Sequence, residues 1–210
     1  LAEHAQLLAA KERAGKVGAV GFQQQTSLAV RFAKDALLRG VLGTPKTITA
    51  SVRWRRDDAY YGRAPWAGRW FIDGCPVFDG PATNALSHVV QASLFLAGET
   101  PRDAAKIVRV RGSLKKARPV ESYDSIYLEA DTTKSVKVRL AMTHATTKHD
   151  DVIIRCSGEN GSLTVGWNGR VHHVTNEGVT QDYYFPGYPH LTSVVNFMRS
   201  MRVPGSMPMT

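Results

Sequence analysis

A short polar stripe in an otherwise apolar segment is the first candidate for chemistry. Asn84, His88 and Gln91 are spaced i, i+4 and i+7 in a segment from Asn84 to Ala97 that is mostly apolar. At helical periodicity these three side chains share one face. An imidazole can exchange a proton near neutral pH, and the two amides can bind hydroxyl groups. The stripe is therefore either a proton-handling, hydroxyl-binding surface or the solvated side of an amphipathic helix.

The second candidate is the segment 53–70, which is dense in Trp, Tyr and Arg and contains Gly and Pro. Aromatic faces stack on sugar rings, and Arg or Tyr side chains bind the hydroxyl groups of a polyol. The same composition is typical of a loop held by aromatic anchors, or of a protein interface. If the segment binds a ligand, the candidate residues are Tyr60, Tyr61, Arg63, Trp66 and Arg69.

Motifs for other kinds of site are weak or missing in the sequence. His172 and His173 are adjacent in a predicted strand, so their side chains face opposite ways and cannot share a metal ion. His144 and His149 have no Cys or carboxylate at ligand spacing, and we predict no metal site. The 210 residues contain no GxGxxG, Walker or GxSxG motif, so the sequence has no nucleotide-binding motif of its own.

Composition indicates an ordinary soluble globular domain, with 43% hydrophobic and 21% charged residues. No apolar run approaches the roughly 18–20 residues that a membrane span requires. The first residues lack the pattern of a signal peptide. Cys75 and Cys156 stand far apart without a CxxC partner, which is typical of a reducing compartment. We therefore expect a cytoplasmic protein with no membrane partner.

The net charge of +9 is concentrated in the stretch 102–118. Clustered Lys and Arg residues can neutralise nucleic-acid phosphates. However, the run from Lys106 to Arg111 alternates basic and apolar residues, as an antiparallel strand with one solvated face does. No aromatic residues interleave to stack on bases, and no helix-turn-helix or zinc spacing is present. The pattern favours a solvated strand face, and we predict no nucleic-acid partner.

Periodicity predicts the elements that must position these residues. Period-two segments predict seven strands, over 47–54, 106–111, 122–130, 135–142, 152–157, 162–165 and 170–174. Helices are predicted over 1–14, 27–39, 84–97 and 190–201, and a short buried strand over Lys16–Phe22. So many strands with few intervening helices predict an α+β fold: one large, mostly antiparallel β-sheet with helices packed on a single face.

Several short motifs, in order along the chain, resemble those of one known family. They are Leu1–Glu3, Val20–Phe22, Arg39–Gly43, Trp66–Arg69, Asp79–His88, Glu121–Asp124 and Ser157–Leu163. Together they resemble the C-terminal, substrate-binding domain of the glucose-fructose oxidoreductase/inositol dehydrogenase (Gfo/Idh/MocA) family. The chain departs from the family pattern at Asn84 and Gln91, where Asp is more usual.

The resemblance implies a domain organisation. Residues 1–22 would be the last helix and strand of a dinucleotide-binding Rossmann domain, and residues 23–210 a substrate-binding and oligomerisation domain. The family's glycine loop and its Glu-Lys-Pro lysine would lie before Leu1, so cofactor-binding residues are not expected here and the fragment alone is expected to be inactive. Homo-oligomers would form through the open face of the sheet.

The resemblance also implies an activity. The intact enzyme would use NAD or NADP to move a hydride to or from a hydroxyl-bearing carbon of a small sugar or polyol. His88 would be the catalytic acid/base, and Asn84 would bind a substrate hydroxyl. Gln91 and the five residues of the aromatic loop are the further substrate-binding candidates. The alternative is a non-catalytic ligand-binding or regulatory protein on the same fold.

Overall fold

The computed structural model describes residues 2–203. Leu1, the first residue of the first predicted helix, and residues 204–210, the end of the predicted second domain, lie outside the described residues. The helices are α1 (Ala2–Ala14), α2 (Leu28–Leu38), α3 (Asp58–Gly62), α4 (Ser87–Ala97) and α5 (Pro189–Arg202), with one 3₁₀ turn at Gln23–Thr26. The strands are β1 (Pro45–Arg53), β2 (Phe71–Ile72), β3 (Cys75–Pro76), β4 (Ile107–Lys115), β5 (Ser125–Thr132), β6 (Lys137–Thr143), β7 (Ile153–Gly158), β8 (Gly161–Gly166), β9 (Arg170–Thr175) and β10 (Thr180–Tyr184).

Eight of these strands form one sheet in the order β10-β9-β8-β7-β1-β6-β5-β4. Every neighbouring pair is antiparallel except β1 and β6, which are parallel in the centre. The alternation that predicted β6 places Val138, Leu140 and Met142 in the core, with more exposed residues between them. The predicted α+β class with a large, mostly antiparallel sheet is confirmed.

Helices α2 and α4 cover one face of this sheet and pack against each other. Their apolar residues, among them Val30, Ala33, Val89 and Phe95, are fully buried with the inward side chains of the sheet. Lys34 of α2 is also buried, and its ammonium donates to the carbonyl oxygens of Phe95 (2.6 Å) and Gly98 (2.5 Å). Both carbonyl groups lie at the end of α4, where few backbone donors are available, although that of Phe95 also accepts from Gly98 N at 3.1 Å. Lys34 therefore fixes the C-terminal end of the helix that carries His88.

The prediction that the last helix packs on the sheet is wrong. Helix α5 packs mainly against the 3₁₀ turn, where Thr26 Oγ1 donates to the carbonyl oxygen of Pro189 at 2.9 Å. An amphipathic pattern identifies an apolar face but not its partner. Most of that face is exposed in the described chain, including Leu191, Val194 and Met198.

The predicted buried strand over Lys16–Phe22 is also not formed. Helix α1 is present as predicted, but almost every residue from Glu3 to Gly21 is exposed, and no described strand pairs with 16–22. A strand requires a neighbour to satisfy its backbone groups, and an apolar run alone cannot provide one. The origin of residues 1–22 in a nucleotide-binding domain stays a prediction.

The sheet face opposite the helices is open at its β4 end. All nine residues of β4 are exposed, and its arginines pair with carboxylates of the neighbouring strand β5. Arg109 contacts Asp131 at 2.9 Å, and Arg111 contacts Glu129. Glu129 also accepts a hydrogen bond from Arg139 of β6. The hydrogen bonds from Arg139 and Arg111 lower the pKa of Glu129 to about 2. The basic stretch is thus a solvated strand with local neutralisation, but both of its faces are exposed rather than the single face that the alternation predicts.

Candidate functional site

The polar stripe begins in a turn rather than in a helix. Helix α4 starts at Ser87, and residues 81–86 form turns in which Leu86 N donates to Pro81 O, five residues back, and Ser87 N to Asn84 O, three residues back. Asn84 therefore lies before the helix, contrary to the prediction that the helix starts there. The proline at position 81 and the turn hydrogen bonds after it delay the start of the helix to Ser87. The spacing of side chains in the sequence does not distinguish such a turn from a turn of helix. His88 and Gln91 lie on α4 as predicted.

His88 occupies the first turn of α4 in a half-buried aromatic environment. Its imidazole contacts the ring of Phe22 edge-on, with ring centroids 5.3 Å apart, and that of Trp167 at 6.4 Å. Its Nδ1 is buried and has no hydrogen-bond partner among the described residues. Burial, and secondly the charge of His190, lower the pKa of His88. At neutral pH the ring is therefore uncharged and can accept a proton.

Further polar groups meet where α4, the 3₁₀ turn and the start of α5 come together. Gln91 Oε1 and Gln24 Oε1 are buried without a hydrogen-bond partner among residues 2–203. Gln23 Nε2 lies 3.5 Å from His190 Nε2, which places the first turn of α5 beside Phe22 and so beside His88. Gln23, Gln24 and His190 were not predicted as site residues. They are recognised only by their proximity in the fold, because His190 lies 167 residues from Gln23 in the sequence.

The aromatic loop forms a stacked cluster. Asp57 caps the short helix α3 by accepting from Tyr60 N at 3.0 Å. The Arg63 guanidinium carbon then lies 3.5 Å from the centre of the Tyr60 ring and 4.7 Å from that of Trp66. The Arg56 guanidinium carbon lies 4.8 Å from the centre of the Tyr60 ring and 5.5 Å from that of Trp54. Alternating guanidinium and aromatic planes make a rigid surface that can bind the face of a sugar ring.

Two of the predicted loop residues do not join this surface. The Tyr61 hydroxyl is buried without a partner among the described residues, and burial raises its pKa to about 12. Tyr61 is therefore turned into the protein rather than toward a ligand. Arg69 is exposed, its side chain makes no hydrogen bond or ion pair within residues 2–203, and its backbone bonds to Trp66 and Asp79.

Two tryptophans connect the loop to His88. Trp54, just after β1, contacts Trp167 edge-on at 5.9 Å, and Trp167 contacts His88. Trp54 also stacks on His149 at 5.2 Å, beside an open cleft of about 500 Å³ lined by Arg55, Arg56, Asp57, Tyr60, Thr147 and His149. Trp167 lies in a turn far along the chain and was not predicted as a site residue. Its role follows only from the sheet order, which places the end of β8 near the end of β1.

Asp79 links the loop to Asn84 directly. Its Oδ2 accepts from Gly68 N, and its Oδ1 accepts from Asn84 Nδ2, both at 2.7 Å. Gly68 has φ +70°, and a Cβ there would lie 3.0 Å from a Tyr61 ring carbon and 3.1 Å from Val120. Only glycine adopts this conformation without strain. The buried carboxylate of Asp79 thus connects the turn at Gly68 to the turn that precedes α4.

Within residues 2–203, no group of three or more His, Cys, Asp or Glu residues is placed to hold a metal ion. His172 and His173 face opposite sides of β9, as predicted: His172 pairs with Asp182 at 2.8 Å, whereas His173 is buried. His144 is buried beneath the aromatic loop, with its ring 5.7 Å from that of Tyr60. Burial, and then the charge of Arg56, lower the pKa of His144 to about 4. Over the same residues, no helix combines the length and apolarity that crossing a bilayer requires.

Comparison with known protein families gives a clear assignment. The family model of the GFO/IDH/MocA C-terminal domain matches residues 30–164, which is more than half of the chain. The chain belongs to the GFO/IDH/MocA family. The matched range includes the aromatic loop, Asp79, Asn84 and all of α4. No sequence among the curated proteins matches significantly.

Solved structures share the fold of this family member. The aldose-aldose oxidoreductase from Caulobacter crescentus complexed with glycerol is 15% identical, with a TM-score of 0.77 over 97% of this chain and 58% of its own. The WlbA dehydrogenase from Bordetella pertussis, in complex with NADH and UDP-GlcNAcA, is 23% identical, with a TM-score of 0.70 over 96% and 58%. The UDP-N-acetylglucosamine 3-dehydrogenase GnnA from Acidithiobacillus ferrooxidans is 14% identical, with a TM-score of 0.73 over 98% and 59%. The chain therefore spans about three fifths of the length of these structures.

Proposed function

We propose that this chain is the substrate-binding part of an NAD(P)-dependent oxidoreductase that acts by hydride transfer on a hydroxyl-bearing carbon of a sugar or polyol. Membership of the GFO/IDH/MocA family supports the reaction class. The observation that carries the proposal is the placement of His88, half-buried at the start of α4 with an uncharged ring and an unpartnered Nδ1. A ligand or water can complete such a nitrogen.

In this proposal His88 is the catalytic acid/base. During oxidation of an alcohol, the neutral imidazole takes the hydroxyl proton while the hydride leaves the same carbon. The lowered pKa keeps the ring ready to accept that proton at neutral pH. In the reverse direction the imidazolium returns the proton to the oxygen.

Substrate binding is assigned to Asn84, to Gln91 and to the stacked loop residues Tyr60, Arg63 and Trp66. The loop offers ring faces and guanidinium donors, a combination that suits sugars. The ligands named for the related structures, UDP-GlcNAcA and glycerol, carry several hydroxyl groups and agree with this class. Tyr61 and Arg69 remain predicted binding residues from the sequence, but their positions give them no support.

Two aromatic residues fit a cofactor ring beside His88. Phe22 and Trp167 both meet the imidazole edge-on and would border a nicotinamide there. The nicotinamide supplies the hydride acceptor or donor when it is bound. The pyrophosphate requires a glycine-rich turn at a helix N-terminus, a motif that this sequence does not contain. The isolated 210-residue chain is therefore proposed to be inactive alone.

The open sheet face is proposed as a homo-oligomer interface. Exposed apolar residues on it include Tyr127 and Ile153, beside the paired charges of β4, β5 and β6. Apolar residues rimmed by neutralised charge are typical of protein–protein contacts.

The test is an activity screen of the full-length protein. NAD⁺ or NADP⁺ would be supplied with glucose, myo-inositol, glycerol and UDP-linked sugars, and formation of the reduced nicotinamide would be followed. We expect turnover with at least one of these polyhydroxylated compounds. Tight binding of a sugar with no turnover would favour the alternative, a non-catalytic ligand-binding or regulatory protein, and would overturn the proposed activity.

A further inference from the structure

The carboxylate of Asp79 is buried and makes two short hydrogen bonds. Its side chain lies between Gly68 N and Asn84 Nδ2, each at 2.7 Å, and the residue is only 5% exposed. Its backbone is also held, because Asp79 N donates to Arg69 O at 2.9 Å and the Ser122 hydroxyl donates to Asp79 O. Asp79 is therefore in a fixed position relative to both the loop and the start of α4.

The charge of Asp79 decides the orientation of the Asn84 amide. An ionised carboxylate accepts hydrogen bonds and cannot donate one, so the NH₂ group of Asn84 must face it. The Asn84 backbone is fixed as well, since Ser87 Oγ donates to Asn84 O at 2.6 Å. With Nδ2 committed, Oδ1 is the remaining polar atom of the amide, and it has no hydrogen-bond partner among the described residues.

We propose that Asp79 is a positioning residue that holds the Asn84 amide with its carbonyl oxygen available to ligand. The site then offers a hydrogen-bond acceptor at position 84, which selects a hydroxyl donor over a carbonyl or carboxylate oxygen. This inference rests on the proposed function in one respect: it takes the ligand to be a sugar or polyol. The orientation of the amide does not depend on that assumption.

The contact with Asp79 also limits which residue position 84 can hold. A carboxylate at 84 would face that of Asp79 across the same 2.7 Å separation, and two carboxylates at that distance cannot both be ionised. The amide at 84 and the carboxylate at 79 are thus complementary, and each determines which residue the other position tolerates.

A polarity exchange tests this pairing in the full-length protein. Asn84→Asp should lower the folding equilibrium constant at pH 7 by about 10–100-fold, the cost of an uncompensated buried polar group. Because one of the two carboxyls can take up a proton, this loss should shrink as the pH falls toward about 4, where carboxyl groups begin to protonate. The double variant Asp79→Asn/Asn84→Asp should recover to within about 3-fold of the starting protein, since the new amide at position 79 can accept from Gly68 N and donate to the new carboxylate at position 84. Asp151→Asn, at an exposed residue, is the matched control and should change nothing.

The single variant Asp79→Asn separates positioning from stability. Its amide can still accept from Gly68 N, but its NH₂ group then requires an acceptor, so Asn84 should turn and offer Oδ1 inward and Nδ2 outward. The side-chain NH₂ protons of Asn84, followed by NMR, should exchange with water at least about 10-fold faster than in the starting protein, because they lose the carboxylate partner. With whichever of glucose, myo-inositol or glycerol is turned over, KM should rise by about 10-fold or more, while kcat changes by less than about 3-fold.

The outcomes distinguish the two proposals. If the double variant is no more stable than Asn84→Asp, or if NH₂ exchange is unchanged in Asp79→Asn, the positioning role of Asp79 is wrong. If both results are as expected and no polyol is turned over, Asp79 positions Asn84 and the proposed activity is wrong. A lowered kcat with an unchanged KM in Asp79→Asn would also overturn the positioning role.

Discussion

The imidazole of His88 and the indole of Trp167 meet edge-on with their centroids 6.4 Å apart. This contact joins the start of α4 to the turn after β8, and Trp54 continues it at 5.9 Å to the end of β1, where the aromatic loop begins. Trp167 thus covers part of the half-buried His88 ring. In the proposed function, the substrate and the nicotinamide would meet at the part of the ring that is left uncovered.

The charge of His190 should influence the titration of His88. Burial is the larger cause of the lowered His88 pKa, and the positive charge of His190 adds to it. His190→Gln removes that charge and should move the pKa of His88 upward, toward its ordinary value, as measured by NMR titration of the ring protons. His172→Gln, at an exposed histidine that pairs with Asp182, is the control and should leave the His88 pKa unchanged. An equal shift in both variants would contradict a local effect.

Lys34 should stabilise the fold through the end of α4. Lys34→Met keeps the apolar stem but removes the ammonium from two helix-terminal carbonyls, and should cost about 1–3 kcal/mol of the free energy of unfolding at pH 7. Lys106→Met, at an exposed lysine, should cost close to nothing. Urea denaturation measures both. Equal costs would show that the contacts of Lys34 contribute no stability.

Lys34 should also give a distinct pH dependence of stability. Burial lowers its pKa from 10.5 to about 8, so between these values the unfolded chain holds a proton that the folded chain has released. Stability from this group therefore rises as the pH increases from about 8 to 10.5. The rise should be absent in Lys34→Met, and a parallel pH profile in the two proteins would contradict the assignment.

Much of the fold was predictable because the strands are long and alternate. Segments such as β5 and β6 have one buried face, which imposes period two on the sequence. Strand β10 was missed because its residues Thr180–Tyr184 are nearly all exposed and carry no such alternation. The 3₁₀ turn as a partner for α5 could not be predicted, since it depends on tertiary packing.

The candidate site was predictable only in part. His88 was found because it is an imidazole on an otherwise apolar helix. The aromatic loop was found because its run of Trp, Tyr and Arg differs from the segments around it. Trp167, Gln24 and His190 break no pattern; the sheet order brings Trp167 to the site, and the packing of α5 and the 3₁₀ turn brings His190 and Gln24. Asp79 was visible in a motif, but its bonds to Gly68 and Asn84 depend on a turn conformation that spacing does not specify.

Gly68 should be required for the loop in two ways. It has φ +70°, and a Cβ would also press against Tyr61 and Val120. Gly178 has φ +83° with nothing within 4 Å, so alanine there introduces the backbone strain alone. Gly178→Ala should therefore cost about 1 kcal/mol, and Gly68→Ala about 1–2 kcal/mol more, in chemical denaturation. Equal costs would contradict tight packing at Gly68.

The open sheet face should mediate self-association. Tyr127 is 47% exposed on this face of β5, and Tyr127→Glu places a charge among the exposed apolar residues without affecting the core. Sedimentation of the full-length protein should show weaker self-association, with the dissociation constant raised at least about 10-fold. Val179→Glu, at an exposed residue next to the edge strand β10, is the control. Unchanged association in Tyr127→Glu would place the interface elsewhere.

The most direct test of the account is His88→Ala in the full-length enzyme, with kcat and the free energy of unfolding measured on the same preparation. If His88 is the acid/base, kcat should fall by about 10²–10⁴-fold, the usual contribution of a positioned proton-transfer group. Stability should change by only about 1 kcal/mol, because the ring is half-buried at the edge of the core. A kcat within a few-fold of the starting enzyme, together with a large loss of stability, would show instead that His88 is a structural residue.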